Sequence, residues 1–148
     1  MEFIAKTFDE LNTSELYELL RARFEIFVTE QKIMYQDMDG IDREALHCFL
    51  WDKDTVLACL RACREDEDTV KIGRVLSIRH GEGLGQRLME QSLPAIVKRF
   101  PCKKLRISSQ KHAVGFYELF GFRCVSDEFL EADIPHIYME LDTDNILR

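Results

Sequence analysis

The stretch that decides the fold is Val70-Lys71-Ile72-Gly73-Arg74-Val75-Leu76-Ser77-Ile78, followed directly by Arg79-His80-Gly81-Glu82-Gly83-Leu84-Gly85. The first part is apolar and rich in β-branched residues, which is typical of a buried strand. The second part holds three of the chain's seven glycines. Apolar residues then recur at helical spacing, at Leu84, Leu88, Met89, Leu93, Ile96, Val97 and Phe100. The sequence therefore predicts a strand, a glycine turn and a long helix in direct succession.

This succession predicts an anion site at the start of the helix. Glycines let backbone N–H groups approach a ligand closely, and the helix N-terminus adds partial positive charge. A phosphate or pyrophosphate suits that geometry. A simpler interpretation stays open, in which the glycines only make a tight turn between a strand and a helix.

The spacing of this loop excludes two common phosphate-binding motifs. Gln86-Arg87 follows Gly85, where a P-loop requires Lys and then Ser or Thr. The pattern G-x-G-x-G also differs from the dinucleotide fingerprint G-x-G-x-x-G. In addition, Phe100-Pro101-Cys102-Lys103 occupies the region in which that fingerprint places an acidic residue for the ribose.

A second stretch reads His112-Ala113-Val114-Gly115-Phe116-Tyr117-Glu118-Leu119-Phe120-Gly121-Phe122. Together with His80-x-x-Gly83-x-Gly85 it resembles two motifs of the GNAT superfamily of N-acetyltransferases. There an [R/Q]-x-x-G-x-[G/A] loop cradles the pyrophosphate of acetyl-CoA, and an F-Y-x-x-x-G-F segment closes the thiol side. Other segments are similar to the ElaA-like branch of that superfamily, namely Val28-Thr29-Glu30-Gln31, Met38-Asp39-Gly40-Ile41-Asp42, His47, Ile72-Gly73-Arg74-Val75, Gly83-Leu84-Gly85-Gln86-Arg87-Leu88-Met89 and Ile134-Pro135-His136-Ile137-Tyr138-Met139.

The resemblance covers nearly the whole chain and implies a single GNAT-like acetyltransferase domain over residues 1–148. It implies an α/β fold in which a mixed, mainly antiparallel sheet carries helices on both faces. The residue patterns predict a helix N-cap at Asn12, supported by Glu15, and a two-residue hairpin turn at Lys53-Asp54. They predict strands at 2–7, 46–52, 55–64, 70–78, 103–109, 122–125 and 136–141, and helices at 13–29, 84–100 and 112–120.

The resemblance also implies which residues bind the cosubstrate, acetyl-CoA. The main chain of Val75, Leu76 and Ser77 would pair with the pantetheine arm and polarise the acetyl carbonyl. Gln110 would contact the same arm, and the Tyr117 phenol would donate a proton to the leaving thiolate. A structural alternative for Tyr117 is a helix-face aromatic that packs on Phe122. The backbone amides of the loop would hold the pyrophosphate, over His80, Gly81, Glu82, Gly83, Leu84 and Gly85.

The group that accepts the amine's proton has no counterpart on the core strand. Residues 70–78 contain no carboxylate, although many relatives place a glutamate on this strand. The resemblance to the ElaA-like branch falls on or beside Glu30 and His47, and it implies that these residues are catalytic beside Tyr117, with His112 and His136 as further candidates. For each histidine a purely structural role stays open.

Two residues of the loop depart from the family pattern. His80 stands where Arg or Gln is usual, and Glu82 brings a carboxylate beside the pyrophosphate. Arg79 is then the candidate for the missing positive charge. These departures, with the missing strand carboxylate, motivate an alternative function, a non-catalytic acyl-CoA-binding or sensor domain on the same fold. A structural or interaction domain with an empty loop is a third hypothesis.

Charge and composition limit the partners. The net charge of −7 argues against nucleic acid and leaves room for an amine, either of a small molecule or of a peptide. The apolar runs are too short to span a membrane, and residues 1–6 do not form a signal peptide, so no membrane partner is expected. Five cysteines without C-x-x-C indicate reduced thiols and a cytoplasmic protein. The family resemblance leaves a homodimer open.

The sequence predicts no metal site. Histidines and cysteines lack close ligand spacing, and Leu46 stands where a calcium loop would need Glu. Arg61 and Arg74 lie in predicted strands, and buried arginines require partners. A substrate carboxylate could serve, but an internal one such as Asp39 or Asp42 is the expected partner. The acceptor pocket is expected at residues 24–42 and 128–138, which contain Phe24, Phe27, Tyr35, Asp37, Asp39 and Phe129.

Overall fold

The computed structural model describes residues 1–33 and 37–146, so that the predicted pocket residue Tyr35 lies outside the described residues. The strands are β1 (Glu2–Thr7), β2 (Leu46–Asp52), β3 (Thr55–Arg64), β4 (Thr69–Ser77), β5 (Lys104–Gln110), β6 (Arg123–Cys124), β7 (Phe129–Glu131) and β8 (Ile134–Asp142). They form one sheet in the order β1-β2-β3-β4-β5-β8-β6, and β7 pairs with β8. The α-helices are α1 (Thr13–Arg23), α2 (Leu84–Arg99) and α3 (Val114–Glu118).

The sheet is mixed and mainly antiparallel, as predicted. Among the pairings of the described residues, β4 and β5 are parallel and every other pair is antiparallel. One core cluster joins the sheet to α2 through Leu88, Met89 and Ile96. A second cluster packs α1 on the sheet through Leu19 and Ala22. Separate cores for α1 and α2 confirm helices on both faces.

Most local signals lead to the predicted elements. The Asn12 side chain accepts a hydrogen bond from the Glu15 amide at 2.8 Å, and the Glu15 carboxylate accepts one from the Asn12 amide at 2.9 Å. Lys53 and Asp54 both have positive φ, at 50° and 62°, which suits the predicted two-residue turn between β2 and β3. The capping box and the hairpin are therefore confirmed.

The first predicted helix, 13–29, is correct in extent but changes its geometry. After α1 the chain continues as a π-helical segment, Phe24–Glu30. Its end is held by the Gln31 amide, which donates to the Ile26 carbonyl at 2.8 Å, across five residues. The strand β7 was not predicted, and β6 is shorter than the expected 122–125. The expected helix 112–120 is a 3₁₀ turn, Lys111–Ala113, followed by α3.

A β-bulge interrupts β4 at its centre. Arg61 pairs with Gly73 and Cys59 pairs with Leu76, so β4 holds one residue more than β3 over this interval. Arg74 lies inside the bulge with φ of 52°, a left-handed conformation that is uncommon for residues other than glycine. The bulge marks the point at which β4 separates from β5.

Over residues 1–33 and 37–146, no helix is both long enough and apolar enough to cross a membrane. Within the same described residues, no group of three or more His, Cys, Asp or Glu side chains is arranged to hold a metal ion.

Candidate active site

The parallel strands β4 and β5 are paired over only half of their length. Their register runs from Thr69 opposite Lys104 to Ile72 opposite Ile107. Beyond this point residues 73–77 pair with β3 alone, and residues 108–110 pair with β8 alone. The facing edge of β4 therefore offers backbone N–H and C=O groups that no described strand uses. An extended ligand can hydrogen-bond there as an added strand would.

The glycine loop lies directly beyond this free edge of β4. Gly81 and Gly83 have positive φ of 77° and 72°, and a Cβ added at either would meet no atom within 4 Å. Gly83 is the N-cap of α2, and no side chain caps the helix there. The first backbone hydrogen bond of α2 is donated by the Arg87 amide to the Gly83 carbonyl at 3.1 Å. The preceding amides at the helix N-terminus are thus open to an anionic ligand.

Gly85 is favoured by the close approach of a neighbouring aromatic ring. A Cβ at this position would lie 3.3 Å from Cζ of Phe116. Phe116 itself packs edge-on against Tyr117 and Phe120, with both centroid distances at 5.2 Å. The third glycine therefore lets α3 approach the start of α2, which joins the two motifs singled out in the sequence.

A cleft of about 790 Å³ opens where β4 and β5 separate. Its lining includes Gly73 and Val75 from β4, and Ser108 and Gln110 from β5. Its other lining residues include Phe27, Asp39, Arg61, Arg74, His112, Tyr117, Glu131 and His136. One continuous site is therefore formed by the separated strands β4 and β5, the glycine loop and the adjoining cleft.

Comparison with known proteins agrees with this geometry. The family model described as an acetyltransferase (GNAT) domain matches residues 8–143. The chain belongs to the GNAT acetyltransferase family.

Individual members of the family are similar over nearly the full chain. Protein ElaA of Escherichia coli strain K12 is 39% identical over 136 residues, which cover 88% of this chain and 89% of ElaA. The crystal structure of an acyl-CoA N-acyltransferase from Pseudomonas aeruginosa has a TM-score of 0.87 and 38% identity, covering 95% of this chain and 99% of that one. The crystal structure of Escherichia coli ElaA has a TM-score of 0.87 and 36% identity, covering 94% and 97%. The predicted fold and family are thereby confirmed.

In this GNAT domain, Tyr117 is both a packing residue and a cleft residue. Its ring packs edge-on against Phe122 at a centroid distance of 6.0 Å, as the structural alternative expects. The same side chain also lines the cleft. Burial raises the pKa of Tyr117 well above its usual range, so the phenol keeps its proton at physiological pH. The Tyr117 hydroxyl group makes no hydrogen bond to any described residue.

The end of the π-helical segment and the residue after it contact the glycine loop that follows β4 and the last residue of β5. The Glu30 carboxylate lies 2.9 Å from His80 Nε2 in the glycine loop. Its neighbour Gln31 accepts a hydrogen bond from the Gln110 side chain of β5 at 3.0 Å. The predicted site residues Glu30, His80 and Gln110 are thus brought together by one segment of the chain.

The charges of the GNAT loop are largely compensated within the protein. Arg79 Nε lies 3.5 Å from the Glu82 carboxylate, and His80 is paired with Glu30. All four side chains are exposed, so these pairs are weakly held and can exchange for a ligand. Of the predicted main-chain contacts, Val75 lines the cleft, whereas the Leu76 side chain is buried and the Ser77 hydroxyl donates to the Arg79 carbonyl at 2.7 Å.

His47 occupies a different environment from the other predicted residues. It is buried, it does not line the cleft, and its Nε2 lies 2.8 Å from the Asp42 carbonyl oxygen. A carbonyl only accepts, so Nε2 carries the proton and donates. Burial lowers the pKa of His47, which keeps the ring neutral. This geometry favours a structural role that ties β2 to the segment before it.

An ionic cluster of three arginines and three aspartates adjoins the cleft, and three of its members, Asp39, Arg61 and Arg74, line it. Arg61 binds Asp39 at 2.6 Å and Asp42 at 3.1 Å, which confirms the expected internal partners. Arg74 binds Asp37 at 2.8 Å and Asp39 at 3.4 Å. The aspartates are therefore occupied by guanidinium groups.

Sequence reasoning missed Arg23, and it assigned Asp37 to the acceptor pocket, whereas Asp37 is paired with Arg23 and Arg74 in the ionic cluster. Arg23 is 3% exposed and binds Asp42 at 2.7 Å and Asp37 at 2.9 Å. A signal was present, because Arg23 follows the buried Leu19 by four residues and so shares the apolar face of α1. Glu131 was also missed, because the short strand β7 was not predicted.

Proposed function

We propose that this domain transfers an acetyl group from acetyl-CoA to an amine of a small molecule or peptide by direct attack of the amine on the thioester. The observation that carries the proposal is the unpaired edge of β4 at residues 73–77, which ends at an uncapped helix N-terminus in a family of acetyltransferases. We further propose that residues 1–148 act as one domain.

The residues present fit acetyl-CoA. The free edge of β4 at Val75, Leu76 and Ser77 suits the amide-rich pantetheine arm, and Gln110 faces it from β5. The open surface above Gly81 and Gly83 leaves space for a pyrophosphate. Acetyl-CoA supplies the activated acetyl group, and the protein supplies backbone donors for the thioester carbonyl.

Proton transfers complete the reaction. The amine loses a proton as it attacks, and the leaving thiolate gains one. Tyr117 is the proposed donor to the thiolate, because it is protonated and lines the cleft. Glu30 and His47 remain predictions as proton acceptors, and only Glu30 lies beside the glycine loop.

Direct transfer is favoured over an acetyl-cysteine intermediate. Cys63 lines the cleft, but burial and the nearby Glu44 carboxylate raise the pKa of its thiol. The thiolate needed for nucleophilic attack is therefore scarce. The free cysteines fit a reducing compartment, and we propose the cytoplasm.

A second function, acyl-CoA binding without turnover, is favoured by two observations. Residues 70–78 carry no carboxylate, and the loop side chains of Arg79 and His80 are paired with Glu82 and Glu30. Such a sensor would bind acetyl-CoA but would release no CoA with any amine.

Calorimetric titration of acetyl-CoA and CoA, followed by an amine screen, separates these functions. We expect binding by the wild type and a loss of at least tenfold in affinity for Gly83→Glu, which places a carboxylate at the pyrophosphate position. Gly40→Glu is the control, since Gly40 also has positive φ with no atom near its Cβ but lies outside the loop. Release of free CoA is then measured with spermidine, phenethylamine and a tripeptide with a free α-amino group. Absence of binding by the wild type would refute both functions.

A further inference from the structure

The hairpin formed by β7 and β8 places a histidine and a carboxylate on the cleft. Ala132 and Asp133 have φ of 51° and 60° and make its two-residue turn. Phe129 pairs directly with His136, and Glu131 is two residues further along β7. Diagonal positions on neighbouring strands share a face of the sheet. Both His136 and Glu131 line the cleft.

The ring of His136 is held in one tautomer. Its Nδ1 lies 2.7 Å from the Ile134 carbonyl oxygen. Because a carbonyl can only accept, Nδ1 carries the proton and donates it, and Nε2 of the neutral ring is left with a free lone pair. His136 is 6% exposed, and Phe129 stacks on it at a centroid distance of 6.2 Å, so the ring cannot turn freely.

The free nitrogen faces a group that would stabilise its protonated form. Nε2 lies 3.5 Å from the Glu131 carboxylate, which is too long for a strong hydrogen bond but close enough for an ion pair once Nε2 is protonated. The strand on the other side, β5, presents the neutral Gln110 directly opposite His136. Among the described residues, Glu131 is the charged group paired with this ring.

His136 also lies at the right place along the sheet. Its partner Gln110 is the last residue of β5, in the stretch 108–110 that no longer pairs with β4. A thioester bound along the free edge of β4 would therefore lie between β4 and the end of β5, close to His136. Tyr117 reaches the same cleft from α3.

We propose that His136 is the general base that takes the amine's proton, with Glu131 as the countercharge for the resulting imidazolium. This inference rests on the acetyltransferase proposed above. As the C–N bond forms and the C–S bond breaks, the attacking nitrogen passes one proton to Nε2, directly or through one water. The leaving thiolate takes a proton from Tyr117. The imidazolium then returns its proton to Tyr117 through solvent, so a neutral amine and acetyl-CoA give an amide and CoA.

The other three histidines suit this role less well. His47 donates through Nε2 to the Asp42 carbonyl and lies away from the cleft. His80 is exposed in the glycine loop and paired with Glu30. His112 lines the cleft but is exposed, and its Nε2 is bonded to the Gln110 side chain at 2.7 Å. Among the four histidines, only His136 lines the cleft, has its tautomer fixed through Nδ1 and has a carboxylate beside its Nε2.

The first test needs no substrate. Long-range ¹H–¹⁵N correlation spectra of the wild-type protein distinguish a protonated from an unprotonated ring nitrogen. We expect Nδ1–H and an unprotonated Nε2 for His136 at neutral pH. A neutral ring that carries its proton on Nε2 would overturn the proposal.

The second test uses His136→Gln, with Lys98→Gln on the exposed side of α2 as the control outside the cleft. With the best amine of the screen, kcat should fall at least about 100-fold in His136→Gln, while the acetyl-CoA affinity stays within about twofold of the wild type. The decline of kcat toward acidic pH should disappear in His136→Gln and persist in Lys98→Gln, which should keep the kcat of the wild type. Addition of imidazole to His136→Ala should restore part of the activity.

The outcomes separate this inference from the proposed function. If the wild type releases no CoA with any amine, the acetyltransferase proposal fails and the base role fails with it. If the wild type turns over and His136→Gln does as well, only the base role is overturned. Should His136→Gln not fold, Glu131→Gln replaces it, because Glu131 is exposed. We expect this variant to lower kcat by about tenfold at unchanged acetyl-CoA affinity, and wild-type turnover would refute the role of Glu131.

Discussion

Arg61 Nη2 lies 2.6 Å from Asp39 Oδ2, which ties the middle of β3 to the segment that precedes β2. The same guanidinium reaches Asp42 at 3.1 Å, and Asp42 in turn binds the buried Arg23 of α1. Part of the cleft lining is therefore held by ion pairs rather than by apolar packing. Buried ion pairs contribute little when complete but destabilise strongly when one partner is removed.

Asp42→Asn should destabilise the protein by about 3 kcal/mol, because Arg23 and Arg61 would lose a shared charged partner in a buried site. Asn keeps the size of the side chain, so the loss reports charge rather than volume. Urea unfolding at pH 7 measures the change, with the exposed Asp9→Asn as a control expected to lie within about 0.5 kcal/mol of the wild type. A loss below about 1 kcal/mol would show that the cluster does not depend on Asp42.

The same cluster makes stability depend on pH. Hydrogen bonds from Arg61 hold the pKa of the Asp39 carboxyl well below its usual range. Burial would raise the pKa of Asp42, but hydrogen bonds and charge from Arg23 and Arg61 lower it overall. The folded state then binds fewer protons than the unfolded chain. This stabilisation is complete above about pH 5 and is lost as pH falls through the ordinary aspartate pKa of about 3.9 toward the lowered values.

Urea midpoints measured from pH 6 down to pH 2.5 test this dependence. The midpoint of the wild type should fall steeply below pH 4, and that of Asp39→Asn should start lower and fall less. Parallel curves for the two proteins would contradict the assignment to Asp39.

Arg74 combines an ion pair with an unfavourable backbone conformation, and two substitutions separate these effects. Arg74→Gly and Arg74→Val both remove the contact with Asp37, but only glycine adopts φ near 52° without cost. The valine variant should therefore be less stable than the glycine variant by about 1–2 kcal/mol. Chemical denaturation gives the difference, and equal stabilities would mean that the bulge at Arg74 rearranges.

Titration of acetyl-CoA into the two Arg74 variants tests whether the bulge shapes the free edge of β4. We expect weaker binding by Arg74→Val, since its altered backbone adjoins Val75 at that edge. Identical affinities would separate the bulge from cosubstrate binding.

Tyr117→Phe should keep the fold and the acetyl-CoA affinity, because the ring contacts with Phe116 and Phe122 do not involve the hydroxyl group. If Tyr117 protonates the leaving thiolate, kcat should fall about 100-fold. The measurement is CoA release with the best amine of the screen, beside thermal unfolding. Unchanged turnover would leave Tyr117 with the packing role alone.

Local patterns in the sequence were enough to predict most of the sheet. The capping box of α1, the turn at Lys53-Asp54 and the helix α2 each depend on residues close together in the chain. The prediction failed at β7, because three residues carry too little periodicity and this strand exists through its pairing with β8. The π-helical end of the first helix was missed for a related reason, since its backbone geometry is decided by tertiary packing.

Most strands, the helix α2 and the glycine turn were determined by the sequence itself, since they depend on hydrophobic periodicity and on glycines at fixed spacing. The fold class and the family followed from the resemblance of two sequence motifs to those of the GNAT superfamily. The sequence also limited the partners of Arg61 and Arg74 to carboxylates, because buried guanidinium groups require them. Only the tertiary structure decided where β4 leaves β5, that Glu30 meets His80, and that Arg23 joins Asp37 and Asp42 in one ionic cluster. These features depend on atoms brought together from distant parts of the chain, which the order of residues does not show.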